Sequence, residues 1–251
     1  MMLSEQRKNQ ILKDCDARAA YIRGAIAAAG AKGAVFGNSG GKDCALVGIL
    51  CKRAGVETLG IMMPAAGLRN YGEDKSHAAI VANKFGIENI NVDLKETRDA
   101  LMAAASEVQP LEGDAVTNIA PRLRMTVLYA VGRMRNLLVA GTGNRSERYM
   151  GYFTKWGDGA CDFSPIADLT VTEVFEYLRA LDAPAEIINK APSAALYEGQ
   201  TDEGEMGVTY AAIDKYILTG EASEKDKAVI DKAHRVTQHK RDKINVFKSV
   251  D

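Results

Sequence analysis

The stretch GAVFGNSGGKDCALVGILCKRAG, residues 33–55, runs from an apolar strand-like segment through a glycine-rich turn into a segment with helical spacing. Such a turn presents unpaired backbone N–H groups at the positive end of a helix dipole, where they can bind phosphate. A Walker A loop requires glycine six residues before its lysine and Ser or Thr after it, but Phe36 and Asp43 hold those positions around Lys42. No Gly-x-Gly-x-x-Gly pattern runs through residues 37–44 either, so the dinucleotide fingerprint is excluded.

Strand and helix patterns alternate along the rest of the chain. Helices are predicted over residues 4–29, from 43 onward, and over 74–85, 95–107, 117–135, 170–181, 209–218 and 222–241. Strands are predicted over residues 34–36, 58–63, 90–94 and 136–143. This order predicts an α/β fold with a mostly parallel sheet and helices on both faces. Ligands bind such sheets at the carboxyl ends of the strands, where the glycine-rich segments 39–43 and 141–143 fall.

Composition narrows the class of protein. With 251 residues, 47% of them hydrophobic, the chain can build one full α/β domain but not two large catalytic domains. A formal net charge of −1 argues against a nucleic-acid binder with a broad basic surface and favours a small-molecule substrate. We find neither a signal-like segment nor an apolar run of membrane-spanning length, so we expect a cytoplasmic protein without membrane association. The four cysteines form no Cys-x-x-Cys pair, which favours reduced thiols over a zinc site or a disulfide scaffold.

The turn itself, Ser39-Gly-Gly-Lys-Asp43, resembles the SGGxDS pyrophosphate loop of the N-type ATP pyrophosphatases, which cleave ATP to AMP and pyrophosphate. Cys44 stands in place of the final serine. On these residues alone, an ordinary glycine-rich turn between a strand and a helix remains an alternative.

A second segment makes the resemblance specific. GTGNRSERYMGYFTKWGDGACDFSPIADL, residues 141–169, resembles the glycine-, aromatic- and aspartate-rich segment of NAD synthetases. NIAPRLRM at 118, KAPSAALYEGQTDEGEMG at 190 and HKR at 239 extend the likeness over nearly the whole chain. The resemblance implies a Rossmann-like fold of the adenine nucleotide alpha hydrolase type. It also implies ATP-dependent amidation of nicotinic acid adenine dinucleotide (deamido-NAD) to NAD with ammonia, through an adenylated intermediate, with release of AMP and pyrophosphate.

The resemblance also assigns residues to ATP and to a metal. ATP-binding residues are implied at Gly37, Asn38, Ser39, Gly40, Gly41, Lys42, Asp43, Cys44, Thr142 and Ser193. Asp43 and Glu147 would hold Mg²⁺, whose preferred ligands are hard oxygens. Together with Lys42 these two carboxylates are the expected catalytic residues.

Contacts to the dinucleotide are implied for five further residues, Arg122, Lys155, Asp162, His239 and Lys240. The family is homodimeric with the dinucleotide at the subunit interface, to which helix 4–29 either contributes or is a purely structural amphipathic helix. The loop at residues 190–207 is either a lid over the intermediate or an exposed connector. Three acidic residues there are candidates for taking a proton from ammonium: Asp202, Glu203 and Glu205.

Domain organisation follows from the same likeness. Residues 1–251 are expected to form a single synthetase domain, without the glutaminase domain of glutamine-dependent members. Two positions depart from the family pattern. Cys44 replaces a hydroxyl, and we expect its thiol to lie at the phosphates. The alternative is a reactive thiolate whose pKa is lowered by the helix N-terminus and Lys42, but burial against the phosphates works against it. Val171 stands where many members have an ATP-contacting lysine.

Two other functions stay open at this point. Another ATP pyrophosphatase, such as a transfer-RNA thiolase or a lysidine synthetase, shares the Ser-Gly-Gly-x-Asp loop, but we would then expect Cys-x-x-Cys pairs or a basic RNA surface. A non-catalytic nucleotide sensor would keep the phosphate-binding loop but would not turn over its substrate. The departures from the family pattern at Cys44 and Val171 are compatible with this function.

Overall fold

A computed structural model describes residues 3–65, 73–189 and 201–247 of the chain. The strands in this part of the chain form one parallel sheet in the order β3-β2-β1-β4. Their bounds are β1 Gly33–Gly37, β2 Glu57–Met62, β3 Glu88–Asn91 and β4 Leu137–Val139.

The helices connect and flank these strands. Their bounds are α1 Glu5–Ala28, α2 Lys42–Arg53, α3 Glu73–Phe85, α4 Lys95–Ser106, α5 Asp114–Thr117, α6 Ile119–Arg135, α7 Arg145–Met150, α8 Val171–Ala180, α9 Ala185–Ile188, α10 Asp202–Met206, α11 Tyr210–Thr219 and α12 Glu224–Val236, with a 3₁₀ turn at Gln238–Lys240. No helix in the described ranges is long and apolar enough to cross a membrane.

Both faces of the sheet are covered. Successive side chains of β1 point to opposite faces, so Phe36 packs with α1, α2 and α8 while Val35 packs with β2, β4 and α6. Because both of its faces are buried, the central strand β1 reads as an apolar run and is almost wholly inaccessible to solvent, whereas the edge strand β3 is polar and partly exposed. The predicted α/β class with a parallel sheet is confirmed.

Some element limits differ from the sequence prediction. The helix predicted at 117–135 begins at Ile119, and a separate turn of helix precedes it. The strand predicted at 90–94 spans Glu88–Asn91. Beyond it the N–H groups of Val92 and Leu94 still donate to the carbonyls of Met62 and Pro64, but Pro64 has no N–H to return a hydrogen bond.

Two predictions about the C-terminal third were wrong in part. The helix predicted to reach 241 ends at Val236, where the Thr237 hydroxyl binds the carbonyl of Ala233 and the chain tightens into the 3₁₀ turn. The supposed loop 190–207 contains helix α10, which Thr201 caps by accepting from the N–H of Gly204. Residues 190–200 lie outside the described part of the chain, so the lid hypothesis stays a prediction.

The connectivity creates a ligand crevice. The chain leaves β1 for β2 on one side and later returns to β4 on the other side, with Val35 paired to Val139. The crevice between β1 and β4 is therefore a topological switch point, the place where open parallel sheets bind ligands.

Candidate active site

A cavity of about 440 Å³ opens at the carboxyl ends of β1 and β4. Its volume lies within the range usual for small-molecule sites. The predicted residues in its wall are Gly37, Asn38, Ser39, Gly41, Lys42, Asp43, Cys44, Thr142, Glu147 and Lys240. The fold thus brings both glycine-rich strand ends to one space.

The loop after β1 is held from beneath by Asn38. Gly40 has φ +68°, a conformation that favours glycine, and its N–H donates to the Asn38 side-chain oxygen at 3.3 Å. The Asn38 amide donates in turn to Asn89 Oδ1 at 3.3 Å. Helix α2 then starts after Gly41 without a side-chain cap, so no cap side chain occupies the N–H groups of its first turn. This is the geometry of an anion-binding helix N-terminus.

Cys44 is buried beneath the loop. Its thiol donates to the carbonyl of Gly41 at 3.1 Å and lies 3.5 Å from both Asn38 Oδ1 and Ser39 Oγ. Burial raises the pKa of the Cys44 thiol. Burial thus disfavours the alternative of a reactive thiolate, because desolvation outweighs the helix terminus.

Replacing this thiol by a hydroxyl tests its role. We expect Cys44→Ser to keep kcat within about tenfold of wild type, because serine can repeat the contacts to the loop and a typical hydrogen bond changes the free energy by about 0.5–1.5 kcal/mol. Steady-state kinetics with varied ATP measures this. A loss of kcat far beyond tenfold would give the thiol a role that the loop geometry does not provide.

A buried lysine lies between two carboxylates. Lys42 Nζ is 2.7 Å from Asp43 Oδ2 and 3.9 Å from Glu147 Oε1, and it lies over the ring of Tyr210 at 5.5 Å. Burial works against the charge on Lys42, but Asp43, Glu147 and Asp202 together raise its pKa. Lys42 is therefore a permanent cation in the wall of the cavity.

Glu147 reaches the cavity from the first turn of α7. Asn144 and Glu147 form a capping box, in which the Asn144 side chain accepts from the Glu147 N–H and Glu147 Oε2 accepts from the Asn144 N–H. The other oxygen of Glu147 faces Lys42. Burial and the charge of Asp43 raise the pKa of Glu147, and Lys42 offsets this only in part.

This carboxylate pair fits a divalent cation. Two hard-oxygen donors from different strand ends converge on one ammonium group. Within the described ranges, no three His, Cys, Asp or Glu side chains are placed to hold a metal together. Mg²⁺ suits such a site, because it typically binds one or two carboxylates and completes its shell with waters and substrate phosphates.

The three acidic candidates near the C-terminal end separate in the structure. Asp202 and Glu205 line the cavity, where Asp202 accepts from the Tyr210 hydroxyl at 3.0 Å and Glu205 from the Tyr152 hydroxyl at 2.7 Å. Glu203 instead accepts from the Tyr210 N–H at the start of α11. Burial and the surrounding carboxylates raise the pKa of Tyr210, which keeps its phenol protonated as a donor to Asp202.

The residues expected to contact the dinucleotide surround the segment after α7. Lys240 donates to the carbonyls of Gly151 and Phe153 at 2.8 and 2.7 Å. Lys155 donates to the His239 carbonyl at 2.5 Å, and Arg122 lies 3.5 Å from the Lys155 carbonyl.

Asp162 belongs to the same region but has a backbone partner. Its carboxylate accepts from the N–H of Val139 at 2.7 Å, which fixes the end of β4. Of the five dinucleotide residues, Lys240 is the one in the cavity wall formed by the described ranges, and Ser193 lies outside these ranges.

Two positions gain an explanation that the sequence did not supply. Val171 is buried in the core between α7, α8, α11 and α12, so this position supplies packing and no cation to the cavity. Asn144 was missed as a site residue, although its spacing to Glu147 is that of a capping box and was a usable signal. Tyr152 lies in the aromatic-rich segment 141–169 that the sequence indicated, whereas nothing in the sequence around Tyr210 marks it as a partner of Asp202.

The parallel sheet has its cavity at the switch point, with a phosphate-binding loop after one strand and a carboxylate after the next. This is the arrangement of a nucleotide-binding α/β enzyme. Comparison with protein families agrees with that class, because the model for NAD synthase matches residues 15–249. The chain belongs to the NAD synthase family, and the resemblance noted in the sequence is confirmed.

Individual relatives give the same family. An NH(3)-dependent NAD(+) synthetase of Carboxydothermus hydrogenoformans is 48% identical over 224 residues, covering 88% of this chain and 91% of the relative. Among solved structures, the NMN synthetase of Francisella tularensis superposes with a TM-score of 0.90 at 34% identity, over 96% of this chain and 99% of that one. The NH3-dependent NAD synthetase of Campylobacter jejuni gives a TM-score of 0.77 at 25% identity, over 95% and 99%.

Proposed function

We propose that this chain catalyses the ATP-dependent amidation of nicotinic acid adenine dinucleotide to NAD with ammonia. The observation that carries the proposal is the convergence of Asp43, Lys42 and Glu147 beside an uncapped phosphate loop, in a member of the NAD synthase family. A sensor that binds the nucleotide without turnover is separated from this function by the assay described below.

The chemistry explains why ATP is required. A carboxylate is a poor acyl donor because its leaving group would be oxide. When a carboxylate oxygen attacks the α-phosphorus of ATP, the bond to pyrophosphate breaks and an acyl adenylate forms. Ammonia then attacks the carbonyl carbon, AMP leaves with the former carboxylate oxygen, and a proton is lost from nitrogen.

The loop and Lys42 act on the first of these steps. The N–H groups at the start of α2 and the buried ammonium are fixed before the reaction, so they stabilise negative charge that builds on pyrophosphate without reorganisation. Mg²⁺ bound by Asp43 and Glu147 would supply further positive charge to the phosphates. Thr142, on the opposite strand end, lies where it can contact the nucleotide.

The second step needs a proton acceptor and protection from water. Asp202 and Glu205 are the acidic candidates that line the cavity, and the hydroxyls of Tyr210 and Tyr152 orient their carboxylates. We assign proton transfer from ammonium to this pair and no longer to Glu203, which caps α11. Closure of segment 190–207 would exclude water from the adenylate.

Several broader expectations belong to the same proposal. Ammonia is the proposed nitrogen donor, in keeping with relatives named NH(3)-dependent at 40–48% identity. We further propose a cytoplasmic homodimer, a single synthetase domain over residues 1–251 and no nucleic-acid partner. Four of the five residues expected to contact the dinucleotide lie outside the cavity wall formed by the described residues. This arrangement fits a substrate-binding site that is completed at a subunit interface.

A second candidate substrate has a specific observation in its favour. The NMN synthetase superposes with the higher TM-score, 0.90 against 0.77, although the relatives at 40–48% identity are named NAD synthetases. The two reactions share activation of the nicotinic carboxylate and differ in the adenylate half of the acid substrate. We favour the dinucleotide, because Lys155, Asp162 and His239 are all present at the matching positions.

A direct assay separates the two substrates. The protein is supplied with ATP, Mg²⁺, ammonium and either nicotinic acid adenine dinucleotide or the mononucleotide, and NAD or NMN is separated by chromatography. We expect kcat/KM for the dinucleotide to be at least about tenfold higher, which corresponds to about 1.4 kcal/mol. A preference for the mononucleotide would replace the proposed substrate, and no turnover with either acid would support the sensor.

Lys155→Ala tests the dinucleotide contacts. The lost ammonium would remove a charge-assisted hydrogen bond to a phosphate, so we expect KM for the dinucleotide to rise about 10- to 100-fold. KM for ATP should stay within about threefold of wild type, a change of less than 1 kcal/mol. Lys232→Ala, at an exposed lysine of α12, is the matched control. An effect confined to ATP would place Lys155 in the other half of the site.

A further inference from the structure

Asn144 touches both carboxylates of the candidate metal site. Its side-chain amide donates to Asp43 Oδ1 at 3.1 Å. Its side-chain oxygen accepts from the Glu147 N–H at 3.0 Å, and its own N–H donates to Glu147 Oε2 at 3.1 Å. The side chain is fully buried.

These contacts fix the orientation of each carboxylate. Asp43 has Oδ1 on Asn144 and Oδ2 on Lys42, while Glu147 has Oε2 on Asn144 and Oε1 toward Lys42. Asp43 and Asn144 are 101 residues apart in the chain and follow neighbouring strands. Two half-buried carboxylates of like charge repel, and an uncharged group that binds both residues holds them together without adding charge.

Capping alone does not explain an asparagine here. Helix α8 has a second buried capping box, in which Thr170 and Glu173 satisfy the helix start with a hydroxyl. Serine caps a helix as well as asparagine does. Asparagine adds a second hydrogen bond, in which its side-chain N–H donates to Asp43.

We propose that Asn144 is a positioning residue that sets the spacing of Asp43 and Glu147 for a divalent cation bound with the nucleotide phosphates. This inference rests on the proposed function of the site. Outer-shell hydrogen-bond partners of metal ligands typically change metal affinity by about 10- to 100-fold when they are removed.

Asn144→Ser separates capping of α7 from positioning of Asp43, because serine keeps the cap but is too short to reach Asp43. The test measures Mn²⁺ binding by electron paramagnetic resonance with an ATP analogue that resists cleavage between the α- and β-phosphates. We expect affinity to fall about 10- to 100-fold. The Tm should stay within about 4 °C of wild type, as for a small change in a domain of this size. The Mg²⁺ concentration for half-maximal activity should rise in parallel.

Two further variants keep the test decisive. Asn144→Gly loses both side-chain arms at a small capping cost and should bind Mn²⁺ as weakly as the serine variant. Thr170→Ala loses the cap of α8 and should bind Mn²⁺ like wild type despite a lower Tm. Wild-type Mn²⁺ affinity in both Asn144 variants would overturn the inference and leave the proposed function intact. If wild type bound no Mn²⁺, or if Glu147→Gln left Mn²⁺ binding unchanged, the proposed metal site and this inference would both be wrong.

Discussion

Glu147→Gln is expected to lower kcat by at least about 100-fold, the size of effect seen when one fixed electrostatic contact to a transition state is lost. Glutamine can replace glutamate in a capping box, so helix α7 keeps its start while the charge that a hard cation requires is removed. Asp43→Asn should act in the same way from the other strand end. Steady-state kinetics with Mg²⁺ in excess measures both variants.

The chain provides a matched control for this change. Glu173→Gln makes the same substitution in the capping box of α8, where the carboxylate accepts from the N–H and hydroxyl of Thr170. We expect its kcat to stay within about threefold of wild type, a difference of less than 1 kcal/mol. Equal kinetics for Glu147→Gln and Glu173→Gln would remove Glu147 from the site.

Lys42→Met is expected to lower kcat by about 10²- to 10³-fold, because it removes a permanent cation aimed at the departing pyrophosphate. Methionine keeps much of the length of the side chain but loses the ammonium group that lies over the ring of Tyr210. Steady-state kinetics with Mg²⁺ in excess measures the change.

An exposed lysine on the same helix serves as control. Lys52→Met, near the end of α2, changes the same charge away from the cavity and should leave kcat unchanged. Near-wild-type kcat for a folded Lys42→Met protein would mean that Lys42 only balances Asp43 and Glu147.

Much of the site could be predicted because its signals are local. The apolar strand, the glycine-rich turn and the following helix lie within one short stretch, and the parallel sheet follows from the order of elements. The meeting of Asp43 and Glu147 followed from one general rule, that parallel strands end at the same edge of a sheet.

What escaped prediction depends on contacts between distant segments. The hydrogen bond from Asn144 to Asp43 forms only because β1 pairs with β4. Glu203 and Glu205 are two residues apart on one short helix, and tertiary packing alone decides that one caps α11 and the other lines the cavity.

Isotope transfer tests the central claim most directly. Nicotinic acid adenine dinucleotide labelled with ¹⁸O in its nicotinic carboxylate is incubated with the protein, ATP, Mg²⁺ and ammonium, and the nucleotide product is analysed by mass spectrometry. Attack of the carboxylate on the α-phosphorus predicts AMP that carries one ¹⁸O atom for each NAD formed. Unlabelled AMP, or ADP with inorganic phosphate, would contradict the adenylate mechanism and with it the role assigned to the loop at residues 37–44.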